Sequence, residues 1–131
     1  MTDISTREDV GKVVRAFYNK VRADETLGPI FNSMIDDWEE HLEKLTDFWT
    51  MTLFGGRSYG GNPITAHQEV DEKVASGITP YHFGTWLNLW FATLEELFSG
   101  ENAETLKRRA RKMQTFLMIA IFENRQKKGL L

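Results

Sequence analysis

Histidine is the side chain of this sequence best suited to ligating a metal or exchanging a proton near neutral pH, and there are three: His41, His67 and His82. Their settings differ. His67 closes the stretch YGGNPITAH, residues 59–67. Asn62 can cap a helix whose first position is Pro63, where a missing N–H costs nothing. Ile64 lies three residues before His67 and Val70 three after, so they share its face. Asp71 to Gly77 is polar and reads as loop, which leaves that helix roughly two turns. So short a helix is unstable alone in water. Either Ile64 and Val70 anchor it and His67 is incidental, or a metal–histidine bond holds it down.

Polar groups on apolar stripes form a second set. His41 shares a stripe with Trp38, Leu42 and Leu45, and Tyr18 shares one with Val14 and Val21. Trp86 shares one with Phe83 and Trp90. A polar ring among apolar neighbours needs a partner or a path to water. Each of the three is satisfied locally, or they converge on one cavity and present donors to a small bound molecule. His82, in the first turn after Pro80-Tyr81, reads as a surface or capping residue.

Other chemistries are excluded by composition. There is no cysteine, hence no disulfide, thiolate zinc site, iron–sulfur cluster, thiol nucleophile or thioether-bound haem. GGRSYGG lacks the Lys-Ser/Thr of a phosphate loop, and no HExxH occurs. Sixteen basic and 19 acidic residues give a formal charge of −3, so no electrostatic case exists for nucleic acid or an anionic membrane. The basic run Lys107, Arg108, Arg109, Arg111, Lys112 is a solvated helix face. The longest apolar run, FLMIAIF at 116–122, is too short to span a bilayer. The polar start MTDISTREDV carries no signal-peptide pattern. A cytoplasmic location is the expectation.

Helical periodicity runs through nearly the whole chain. A first helix opens at Ser5-Thr6-Arg7-Glu8, a capping-box pattern, with Val10, Val13, Val14, Phe17, Tyr18 and Val21 on one stripe. Gly28-Pro29 breaks the chain, and Ile30-Phe31 begins a short turn. A second long helix starts near Asp36-Asp37, carries Trp38, His41, Leu42, Leu45, Phe48, Trp49 and Leu53 on one face, and ends at Gly55-Gly56. Thr79-Pro80 starts another, with Phe83, Trp86, Leu87, Trp90, Leu94, Leu97 and Phe98. The last starts near Asn102 and runs to about 127. No strand is credible. Length and the lack of repeats or linkers predict one all-α domain over residues 1–131, with four long helices and two short pieces, too irregular for a symmetric bundle.

Taken in order, AFYNKVRAD (16–24), LGPIF (27–31), W..HL.KL..FW (38–49), Y.GNP...H (59–67) and HFGTWLNLWF (82–91) make the chain resemble the truncated haemoglobins, most closely group III. The glycine pairs 55–56 and 60–61 depart from the group III pattern, so the group rests on His41 with Trp86. The resemblance implies a globin-like two-over-two helical sandwich holding non-covalent haem b. It places the proximal iron ligand on His67 and the distal pocket on Tyr18, His41 and Trp86. Phe17, Leu45, Phe48 and Phe83 fall on apolar positions near the haem. It implies binding of a diatomic gas, dioxygen or nitric oxide, with Tyr18 and Trp86 as hydrogen-bond donors; His41 is expected to gate ligand entry or polarise this network rather than bind iron. A redox enzyme on the same haem, acting as a nitric oxide dioxygenase or peroxidase-like catalyst, would need an external reductase. A cofactor-free helical interaction module is the third class.

Overall fold

The ends of each helix follow from local polar chemistry. In the computed structural model, which describes residues 1–56, 71 and 78–128, helix α1 spans Arg7–Ala23. Its capping box is shifted by one residue from the Ser5–Glu8 expectation. The Thr6 hydroxyl accepts from the Asp9 N–H at 3.2 Å, while the Asp9 carboxylate accepts from the N–H groups of Ser5 and Thr6 at 2.9 and 3.2 Å. All six expected stripe residues are buried.

Gly28-Pro29 does not break the chain but opens α2, Gly28–Met34. Asp24 makes the corner by accepting from the N–H groups of Thr26 and Leu27 at 2.8 and 2.9 Å. Gly28 is required there by close approach, because a Cβ would lie 2.6 Å from the Arg22 carbonyl oxygen. Helix α3, Trp38–Phe54, is capped by Asp37, which accepts from the Glu40 N–H at 3.1 Å. It stops at Gly55, whose φ of +86° suits glycine.

Helix α4, Pro80–Leu97, starts at Thr79 with proline in its first turn. His82 caps it, Nδ1 accepting from the Thr79 N–H at 3.0 Å. Helix α5, Glu101–Lys127, is the longest at 27 residues. Its first N–H groups are capped from far away in the chain. Asp3 accepts from Asn102 and Ala103 at 2.9 and 3.0 Å.

Helix α1 packs on α3 and α4, and α4 packs on α5, which also touches α3. The pairs α1/α3 and α4/α5 thus form a two-over-two helical sandwich. The core is aromatic at its centre. Trp49 of α3 stacks on Trp90 of α4 with centroids 4.6 Å apart, and Phe17 of α1 meets Trp90 edge-on at 5.0 Å. The Trp90 indole N–H is satisfied by the Leu106 carbonyl at 3.2 Å. Phe83 packs separately with Leu117 and Ile121. Arg7 and Arg15 of α1 pair with Glu39, Glu43 and Asp47 of α3. These pairs are solvent-exposed and contribute little beyond register.

Among the described residues there is no strand, and no helix is long and apolar enough to cross a membrane. The basic run on α5 is largely a solvated face, as expected. Its inner member Lys107 bridges Glu95 and Glu104, and Arg111 lies over the Phe91 ring.

A further expectation from the sequence fails. Asp71 is not loop. It is helical and only 1% exposed, and its charge is met by Arg125 of α5. Polar composition hid it, because a carboxylate with a buried partner looks like a solvated one in sequence.

Candidate functional site

Tyr18, His41 and Trp86 come from three helices, and the fold brings them together. Tyr18 is 5% exposed, on the inner stripe of α1. Its ring meets the His41 ring of α3 edge-on, centroids 5.7 Å apart. Trp38, one turn earlier on α3, meets His41 at 5.7 Å and Tyr18 at 6.0 Å. Phe31 of α2 closes the cluster against Tyr18 at 5.8 Å. Arg22 lies 4.4 Å over the Trp38 ring and covers its outer side.

Burial pushes the Tyr18 phenol well above its ordinary pKa, and the neighbouring Trp86 indole only partly opposes this. Tyr18 is therefore neutral across the physiological range and keeps its proton to give.

Next to these donors the packing is uneven. Helix α1 buries six residues, whereas α3 buries only Thr46 and Trp49 of its apolar face. Beyond the Trp49–Trp90 stack, Leu45 and Phe48 of α3 and Trp86 of α4 are half-buried. A strip of bulky apolar side chains beside a buried donor is the lining expected for a flat apolar ligand with one polar contact.

A sequence model of the bacterial-like globins matches residues 2–122. A group 3 truncated haemoglobin of Campylobacter jejuni is 32% identical over 108 residues, which are 79% of this chain and 81% of that protein. The chain belongs to the truncated haemoglobins of the bacterial-like globin family. The crystal structure of a group III truncated haemoglobin from Campylobacter jejuni is similar at a TM-score of 0.82 and 29% identity, covering 92% of this chain and 95% of that one. A 2/2 haemoglobin from Synechococcus, solved in the cyanomet state with covalently attached haem, shares the fold at a TM-score of 0.72 and 24% identity, over 91% and 94% of the two chains.

As a globin, this protein binds haem. The donor cluster and the strip on α3 suit that group. Of the apolar residues expected near it, Leu45 and Phe48 belong to this strip, Phe17 meets Trp86 edge-on at 5.5 Å, and Phe83 packs with Leu117 and Ile121 of α5. His67, with Asn62, Pro63, Ile64 and Val70, lies outside the described residues. His82 is committed to capping α4 in this globin.

One feature was missed in the sequence, the Asp71–Arg125 pair, because spacing gives no sign of partners 54 residues apart.

Proposed function

We propose that this globin holds non-covalent haem b through His67 and binds dioxygen or another diatomic ligand on the face lined by Tyr18, Trp86 and His41. When bound, ferrous haem supplies an open coordination position that accepts such a ligand. The rest of the chemistry belongs to the chain. The observation that carries the reading is the convergence of buried Tyr18 with the His41 and Trp38 rings, with Trp86 of a third helix against the adjacent Phe17. Burial keeps the phenol protonated, so Tyr18 has a proton to donate into the pocket. A diatomic ligand that gains negative charge on binding would be held by that proton. The apolar side chains around Tyr18 exclude water, which would otherwise compete for it. His41, with its ring edge-on to both Tyr18 and Trp38, stands where it can gate entry.

Visible spectroscopy of the purified protein tests this reading. A Soret band with one haem per chain is expected, lost or strongly altered in His67→Ala. Stoichiometric haem with an unchanged spectrum in that variant would remove His67 from the proposal. Rapid mixing of the ligand-loaded protein with nitric oxide, with and without a reductase, distinguishes reversible binding from turnover.

A further inference from the structure

Asp71 is the buried carboxylate that gas binding does not use. Its side chain is 1% exposed and that of Arg125 is 19% exposed. The Arg125 Nε donates to one Asp71 oxygen at 3.0 Å. A terminal guanidinium nitrogen donates to the other oxygen and also to the Ile78 carbonyl. The Ile78 N–H in turn donates to Asp71 at 3.1 Å. One guanidinium on α5 therefore ties residue 71 to residue 78, which flank six intervening residues.

Stability alone is a weak reason for such a pair. Desolvating two charges offsets most of their attraction, and apolar residues of similar volume often do as well. What a bidentate, buried pair does provide is geometry, since the planar fork accepts its carboxylate in few orientations. In sequence, this geometry is imposed close to His67. Position 71 follows it by four residues, a span of at most roughly 14 Å of extended chain. Ile78 leads through Thr79 into α4, whose start is itself fixed by His82. Arg125 thus sets the position of the chain on both sides of the junction between the His67 region and α4.

We propose that Arg125 is a positioning residue for haem ligation: by holding Asp71 and Ile78 against α5, it sets where His67 can meet the iron and how long haem is retained. This rests on His67 being the proximal ligand. Outer partners that orient a metal ligand typically change metal affinity 10- to 100-fold when removed.

The test uses holoprotein carrying Arg125→Met, Arg125→Lys, Asp71→Asn or His67→Ala. Haem loss to excess apomyoglobin and the iron–histidine stretching band of the ferrous, ligand-free form are read, beside thermal unfolding of the haem-free protein. Arg125→Met and Asp71→Asn are expected to speed haem loss about 10- to 100-fold and to shift or broaden the band. Arg125→Lys, which keeps the charge but loses the fork, should fall between, and it serves if Arg125→Met does not fold. Altered unfolding with unchanged haem loss and an unchanged band would overturn the proposal, because the pair would then only stabilise the fold. The band must vanish in His67→Ala. Its survival there would show that the underlying ligand assignment is wrong, whatever Arg125 does.

Discussion

At the scale of single residues, the proposed donors Tyr18 and Trp86 are expected to act together, because the Trp86 indole influences the Tyr18 phenol. Two independent donors would each contribute their own factor to ligand retention. Hydrogen bonds to charged groups contribute roughly 1.5–3 kcal/mol, so Tyr18→Phe is expected to speed release of a polar diatomic about 10- to 150-fold. Trp86→Phe should act mainly through Tyr18. The double variant should then be clearly less impaired than the product of the two single effects, as residues in one network are not additive. Ligand-release rates from flash photolysis or stopped flow supply the four corners of the cycle. Full additivity would mean that each donor meets the ligand by itself.

At the scale of elements, helix starts are the points where this chain commits polar groups. Most are local, such as Thr6–Asp9, Asp37 and Thr79–His82. Helix α5 differs, because its cap is Asp3, which also accepts from the Ile4 N–H at 2.8 Å. Burial works to raise the Asp3 pKa, but the backbone N–H groups of Asn102, Ala103 and Ile4 hold the carboxyl below its ordinary range. A carboxyl whose folded pKa is depressed contributes stability that is present above its unfolded value, near 3.8, and is lost as pH falls through the lower folded value. Asp3→Ala should therefore cost about 1 kcal/mol at neutral pH and make the acid limb of the stability curve shallower. Urea unfolding at a series of pH values checks both. An unchanged acid limb would place the acid sensitivity elsewhere.

At the scale of the whole molecule, the two layers are unequally finished. Helix α1 buries its complete stripe, whereas α3 leaves Leu42, Leu45, Phe48 and Leu53 half-buried. With haem against this face, as proposed, α3 should be the described helix that most depends on it. Hydrogen exchange of haem-free protein should show α3 amides opening faster than those of α1, with haem restoring them; equal protection of α3 in both forms would sink this. Much of the molecule was legible in the sequence because helical period and capping are local. The stripe of α1, the stop at Gly55, the capping role of His82 and the all-α class each follow from residues within a few positions of one another. The ordered set of motifs was likewise enough to indicate the truncated haemoglobins. Period assigns a residue to a face but not to a partner, and that is where the tertiary structure was needed. Gly28-Pro29 reads as a break until the Arg22 carbonyl shows why glycine opens a helix there. Asp3 and Asp71 look solvated until α5 presents N–H groups to one and a guanidinium to the other. Composition, period and spacing thus determined which residues lie inside. Only the packing of helices distant in sequence decided which polar groups meet there, because those contacts depend on how whole faces dock.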